Sequence, residues 1–495
     1  MDEGIITAKA YHLATNHIRH RITPHHLDFE NYPVPFKSYA FLNKIDLIKT
    51  GSKSKVDLNL LFDQLPQAGL RGPLSLNALS QILLLAYGVT RTGAANGMNF
   101  YFRTTPSAGG LYPCHLYLLV RFMNGLETGL YYCNMIQEFL ALIQRGENPA
   151  QEDKEVSFSF IITGEFYNSS WKYRERAFRY ILLDSGHLME NLSLALNAFD
   201  QFFSIEYDFD DQKISQRLFL DNAKEVPLAI VTVGQDTCCV KEQIDSRPHL
   251  SGPRAEQKIG LSAGPSYPLL EKIYHLGGKP AQKKFVGPKQ TDRVTKPLKK
   301  TIRLSDFSCP PDKIDYMETV CLRRSKRNFV PKVLDMTKAI RLLRLASSLP
   351  CSDAQAEKVD PCLTIGVSCQ NIHGIEDGFY LFSQDRTSLH LIRKGQYHNA
   401  LSRVCLDQQW IAHAAVNFLF MADLSYLETS FGPRGYRYLL MHSGRIAQRI
   451  YLGATGLGLG CCGVGALYDE EARDLFDLNE DVSLFYVVST GPVKK

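Results

Sequence analysis

Arg176-Ala-Phe-Arg-Tyr-Ile-Leu-Leu-Asp-Ser-Gly186 can be laid without a gap on Arg434-Gly-Tyr-Arg-Tyr-Leu-Leu-Met-His-Ser-Gly444. The two stretches agree at Arg, an aromatic, Arg, Tyr, Leu, Ser and Gly. Each opens an apolar-periodic segment, Arg176–Phe199 and Arg434–Leu457, that predicts a buried amphipathic helix. Each predicted helix leads through a short polar stretch to an apolar strand, Leu228–Val233 and Leu484–Ser489. A repeat spaced by roughly half the chain indicates a duplicated domain, since solenoid periods reach only about 50 residues. A glycine inside such a helix costs about 1 kcal/mol against alanine. Gly186 and Gly444 are therefore expected where two helices approach closely.

Length agrees with duplication, because 495 residues exceed what one core supports. The repeat predicts an N-terminal extension over 1–55, a first domain over 56–235, a connector with a short helix at Pro268–Leu276 over 236–315, and a second domain over 316–495. An apolar fraction of 45% and a charged fraction of 22% are those of an ordinary globular protein. A net charge of +5 is too mild to imply nucleic acid. Apolar runs such as Ile82–Tyr87 and Leu116–Val120 are too short to span a membrane. The start Met1-Asp-Glu-Gly4 lacks a signal peptide's basic and apolar regions. Twelve scattered cysteines, with adjacent pairs at Cys238-Cys239 and Cys461-Cys462, lack zinc spacing and predict buried or idle thiols in a reducing cytoplasm. Five histidines in the extension (His12, His17, His20, His25 and His26) match no metal motif and read as surface residues, so no metal is expected. The basic run between Lys279 and Arg303 reads as a solvated linker.

The halves differ where chemistry is expected. The first carries Arg103-Thr-Thr-Pro-Ser-Ala-Gly-Gly-Leu-Tyr-Pro113, a small-residue turn fixed by Pro106 and Pro113, whose backbone can lie against a planar ligand. The second has no such turn around Leu349–Val367. It carries Arg323-Arg-Ser-Lys-Arg327 just before a predicted helix at Leu334–Ser347, a cationic cluster with a hydroxyl suited to a phosphate. Near Lys53-Ser-Lys55 the first half holds only a faint echo of that cluster. A flat ring with a phosphate tail describes flavin mononucleotide (FMN). After its long helix the second half runs Gly456-Leu-Gly-Leu-Gly-Cys-Cys-Gly-Val-Gly465, whereas the first has Phe199-Asp-Gln-Phe-Phe-Ser-Ile-Glu206. Gly458-x-Gly460-x-x-Gly463 follows a helix and enters a strand, the reverse of a dinucleotide fingerprint. Its expected role is backbone N–H donation from around Val464 and Gly465 to the flavin's N5/O4 edge. One composite site is thus expected to be kept and its twin lost.

These segments, with Tyr11-His-Leu-Ala-Thr15, Pro33-Val-Pro-Phe-Lys37 and Ala86-Tyr-Gly-Val89, resemble the nitroreductase superfamily and, within it, the SagB-type azoline dehydrogenases. The resemblance implies an α+β fold: two tandem domains, each a mainly antiparallel sheet flanked by helices, forming a pseudo-dimer within one chain. It implies FMN held by Arg323, Arg324, Ser325 and Arg327, by the turn Pro106, Ser107, Ala108 and Gly109, and by Gly463, Val464 and Gly465. Lys172-Tyr173 resembles the catalytic Lys-Tyr pair, and its repeat mate is Ser430-Phe431. A Tyr or Lys of lowered pKa would take a ring C–H proton while hydride passes to flavin N5. The implied substrate is an azoline-bearing peptide or related small heterocycle. The alternatives are a nitro or quinone reductase fed by NAD(P)H, and a non-catalytic flavin-binding subunit of a biosynthetic complex. No nucleic acid or membrane partner is implied, and the pseudo-dimer either stands alone or pairs again as a homodimer.

Overall fold

Each half builds one large antiparallel sheet in which six strands keep the same order, with an edge strand that follows them in sequence in the first half and precedes them in the second. In the first, Leu250–Arg254, Phe139–Gly146, Gly129–Asn134, Cys114–Phe122, Ser157–Glu165, Glu225–Val233 and Phe203–Glu206 lie side by side, and Asn43–Asp46 also pairs with Phe139–Gly146. In the second, the order is Thr301–Arg303, Ser388–Lys394, Gly378–Phe382, Thr364–Cys369, Val416–Asp423, Val482–Gly491 and Gly460–Val464. This computed structural model describes residues 7–22, 25–48, 55–63, 74–95, 98–147, 157–234, 250–259, 264–280, 300–309, 313–347 and 354–494. Most of the basic run, Cys238, Cys239, Cys351 and Lys53-Ser54 lie outside them. Among the described residues no helix is long and apolar enough to cross a membrane, and no group of three or more His, Cys, Asp or Glu could hold a metal.

The repeated stretch forms the helices Ala177–Ala198 and Gly435–Gly456, which pack against each other at the centre. A Cβ on Gly186 would lie 2.0 Å from the Met441 carbonyl oxygen, and one on Gly444 would lie 2.3 Å from that of Leu183. Bare backbone on both sides is what lets the helices touch. The other long-range expectations differ at their ends. The helix predicted at Leu334–Ser347 runs from Met336 to Leu345, because the Asp335 carboxylate accepts from the Thr337 and Lys338 amides and fixes the start.

Asp57 and Asp315 meet in an isolated antiparallel bridge. They stand as far apart in the chain as Arg176 and Arg434, so the mate of Arg323–Arg327 is residues 65–69, not Lys53-Ser-Lys55. Those residues, Leu65-Pro-Gln-Ala-Gly69, carry no cation and lie outside the described ones.

Beyond the helices, the halves exchange charges. Asp469, at the start of the helix Asp469–Phe476, binds Arg176 Nη1 at 2.9 Å and Arg179 Nη1 at 3.0 Å. Asp211, at the start of Asp211–Leu218, binds Arg434 Nη2 at 2.9 Å and also Arg437. All six groups are buried. Burial alone would raise the Asp469 carboxyl, but Arg176 and Arg179 hold it well below the usual carboxylate range.

The extension and the connector turn out to be equivalent parts of this frame. The extension's helix Ala8–Ala14 and the residues after it bring the Thr15 carbonyl to Arg176 Nη1 at 2.8 Å and the His12 carbonyl to Arg179. The connector's helix Pro268–Leu276 brings the Gly277 carbonyl to Arg434 Nη1 at 2.6 Å. The connector also supplies the edge strands Leu250–Arg254 and Thr301–Arg303, one to each sheet. The expectation of surface histidines fails for His12, which is fully buried with Nδ1 2.9 Å from the Tyr436 hydroxyl. Burial and neighbouring Arg179 push its pKa well down, so it stays neutral.

Gly186→Ala is expected to destabilise the protein by about 2–3 kcal/mol, because overpacking the helix contact outweighs the roughly 1 kcal/mol of helix propensity gained. Urea denaturation measures this, and a neutral or stabilising result would contradict the packing argument.

Candidate active site

The turn of the first half and the cationic segment of the second meet at one open cavity. From the first half come Pro106, Ser107, Ala108, Gly109, Tyr173, Tyr180, Leu183, Asp184 and His187. From the second come Ser325, Arg327, Gln408, Tyr451, Gly463, Val464, Gly465, Ala466 and Tyr486.

The turn is held from inside. Ser107 Oγ accepts the Tyr112 amide at 2.8 Å and donates to Asp184 Oδ2 at 2.5 Å. Gly109 has φ +64°, and a Cβ there would lie 2.9 Å from the Tyr173 hydroxyl. The chain thus needs glycine at this point for its conformation and for space.

The cationic segment divides its work. Arg323 is buried, and its guanidinium donates to the carbonyls of Arg103 at 2.6 Å, Thr104 at 2.6 Å and Thr105 at 3.1 Å. It fastens the turn of one half to the other and does not line the cavity. Arg324 donates to the carbonyls of Cys321 at 2.9 Å and Arg323 at 2.6 Å, away from the cavity. The expectation of four phosphate-facing side chains therefore narrows to Ser325 and Arg327. Extended backbone, with Ser325 bridging Cys461 beside the strand Gly460–Val464, turns Arg324 to the opposite side, and Arg323 is taken up by its three carbonyls.

The glycine run follows a helix and forms a strand, as its position predicted. A Cβ on Gly463 would lie 2.1 Å from the Tyr486 hydroxyl, and one on Gly465 would lie 2.5 Å from the Tyr180 ring. The Gly463 amide is already engaged, donating to the Tyr451 hydroxyl at 2.6 Å, which is itself 3.1 Å from Ser325 Oγ. The Gly465 carbonyl accepts Arg176 Nη2 at 3.0 Å. The ion cluster that joins the halves thus also fixes the cavity wall.

Lys172 and Tyr173 end the helix Phe166–Tyr173. Tyr173 is on the wall, its ring centroid 4.4 Å from that of Tyr180. Lys172 is beside it, with Nζ 5.6 Å from the Tyr173 ring centroid, and is not part of the wall. The expected lowered pKa applies to only one of the pair. Burial, and then Arg327, lower Lys172, whereas burial drives Tyr173 far above its ordinary value. Tyr173 is therefore a proton donor at neutral pH and not a base.

Asp184, His187, Tyr180, Tyr451 and Tyr486 were not foreseen. A signal for two of them was present, because the repeat replaces Asp184 by His442 and His187 by Arg445. His187 sits between Gln448 Oε1 at 2.8 Å and the Tyr486 hydroxyl at 3.0 Å. Burial lowers its pKa to about 3, so it is neutral. In the twin position Ile205 and Tyr207 stand where the kept site has Gly463 and Gly465, and Phe431 stands for Tyr173. Arg445 there binds Glu190 at 3.0 Å. The twin has therefore exchanged cradle residues for side chains.

The residues that line the kept cavity are suited to FMN. Glycines 463 and 465 let the Tyr486 and Tyr180 rings close onto the wall, and Ser107, Ser325 and Arg327 supply polar and cationic groups. The nitroreductase family's sequence profile matches residues 71–235 and 367–491. A Methanocaldococcus jannaschii protein named as a nitroreductase is 30% identical over 175 residues, covering 34% of this chain and 87% of that protein. The trifolitoxin-processing protein TfxB of Rhizobium leguminosarum bv. trifolii is 28% identical over 172 residues, or 31% of this chain and 46% of TfxB. A crystal structure from Anabaena variabilis superposes with a TM-score of 0.73 at 24% identity, covering 98% of this chain and 99% of the other.

Arg323→Lys should cost about 2–4 kcal/mol, since one ammonium cannot replace a fork that reaches three carbonyls and each charged hydrogen bond contributes about 1.5–3 kcal/mol. The urea midpoint checks this, and an unchanged midpoint would show that the fork is dispensable.

Proposed function

The chain belongs to the nitroreductase family, and from that premise we propose that it binds one FMN in the composite cavity and dehydrogenates an azoline-type heterocycle. The supporting observation is that Ser107 and its turn, from one half, face Ser325, Arg327 and Gly463–Gly465, from the other, across a single cavity. Ser325 and Arg327 would hold the phosphate, and the turn and glycine strand would flank the ring. FMN supplies a two-electron acceptor for hydride.

Lys172 is the residue suited to receive the ring proton. Its ammonium is half-buried and destabilised by desolvation and by Arg327, so its neutral form is reached at lower pH than for a free lysine. Tyr173 keeps its proton and can donate a hydrogen bond to a ring heteroatom of the substrate. Tyr180, its ring tilted by 54° against that of Tyr173, packs on the phenol. TfxB's name as a trifolitoxin-processing protein favours a modified peptide as the carrier of the heterocycle. The family name and the M. jannaschii relative favour the second reading, reduction of nitro compounds or quinones with NAD(P)H.

Flavin absorbance against protein mass should give one FMN per chain. A colourless, correctly folded preparation that binds no added FMN would end this reading, and two flavins per chain would contradict the loss of the twin site. Azoline oxidation should rise with pH through a midpoint below the ordinary lysine value of about 10.4. Lys172→Ala should abolish that rise, and Tyr173→Phe should lower kcat while flavin content stays unchanged. Unchanged turnover in both variants would remove the pair from catalysis, and bound flavin with no turnover in wild type would leave a flavin-binding subunit. Rapid NADPH consumption with nitroaromatics, without azoline oxidation, would select the reductase.

A further inference from the structure

We propose that Asp184 is a ligand-binding carboxyl that takes up one proton from solvent when the cavity fills, so that it meets the bound molecule as a neutral acid and not as an anion. This rests on FMN being that molecule. Asp184 lines the cavity yet is only 8% exposed. Its sole partners among the described residues are uncharged donors, Ser107 Oγ at 2.5 Å and the Ala108 amide at 3.3 Å. No ion pair to it is formed among those residues.

The groups that face Asp184 are uncharged as well. Tyr87, Cys114, Tyr173 and Tyr486 lie within its electrostatic reach, and burial raises the pKa of each well above neutrality. His187, one turn further along the same helix, is neutral. The charged group on the wall is Arg327, from the other half, and Lys172 flanks Tyr173. Burial already raises the Asp184 carboxyl to about 7, against the lowering pull of its two hydrogen bonds.

Filling the cavity removes the remaining water and brings in a phosphate dianion, and each of these disfavours the carboxylate. Arg327 is the natural counter-charge for the phosphate, which leaves Asp184 without one. At neutral pH the carboxyl balances between its two forms in the free protein, and occupancy tips it to the acid. The twin site differs at this position, because there the long helix supplies an imidazole and its partner is the carboxylate. His442 stands for Asp184 and binds Asp360 at 2.6 Å.

The test is isothermal titration of the flavin-free, full-length chain with FMN in buffers of different ionisation enthalpy, between pH 7 and pH 9, where the phosphate is already ionised. Wild type should take up a fraction of a proton near pH 7 and close to one at higher pH. Its FMN affinity should fall about tenfold per pH unit once the free carboxyl is ionised. Asp184→Asn keeps the shape and the acceptor for Ser107, and should bind with no such uptake and a flat pH profile. Equal proton uptake in wild type and variant would overturn the assignment. If the variant does not fold, a flat wild-type affinity with no proton uptake overturns it alone. A wild-type chain that binds no FMN at any pH overturns the flavin reading itself, a separate failure.

Discussion

Two carboxylates, Asp469 and Asp211, each neutralise a pair of buried arginines that belong to the other half of the chain. Burying such charges is costly, and removing one partner leaves an uncompensated ion at about 3–5 kcal/mol. The arrangement is therefore better understood as a lock on register than as a source of net stability. Only one relative placement of the halves satisfies both clusters at once. The Gly186–Gly444 contact demands the same placement, since a shift along either helix would put side chains where bare backbone meets.

That lock reaches the candidate site directly. Arg176 binds Asp469 with one nitrogen and the Gly465 carbonyl with another. Arg323 works from the opposite side, clasping three carbonyls that lead into the Ser107 turn. A cavity wall is built from loops, and loops that only met across an interface would be free to shift. Here each is tied to the other half by a guanidinium. The mirror-related Arg434 and Tyr207 show the same fastening in the twin, where Arg434 Nη2 reaches the Tyr207 carbonyl at 3.0 Å. The frame has stayed symmetric while the equipment has not. Ile205 and Tyr207 stand opposite the glycines, Phe431 stands opposite Tyr173, and a buried Arg445–Glu190 pair lies on the twin side.

Much of this was legible in the chain. The duplication, the two central helices and their glycines and the two strands follow from local pattern, and the pairing of the Ser107 turn with Ser325 was expected from the complementary differences between the halves and from the family resemblance. Periodicity, glycine and proline act over a few residues, so they are written where they act. The assignment of arginines was less legible. Four cations within five residues invite a phosphate, but Arg323 and Arg324 are spent on carbonyls, which no residue identity announces. His12 likewise reads as a surface histidine until a helix of the extension inserts it beside Arg179. Asp184 stood in plain view within the repeat, and its mismatch with His442 was the available clue.

The sequence by itself determined that two like domains exist, that they differ in one turn, one basic segment and one glycine run, and that these differences are complementary. Tertiary structure decided which polar side chains face the cavity and in what protonation state. Phenol, carboxyl and ammonium groups differ little in sequence terms, whether buried or exposed. Desolvation separates them: it raises Tyr173 and Asp184 and lowers Lys172. Desolvation depends on everything packed around a group, much of it distant along the chain, and so it is settled only when the chain is folded.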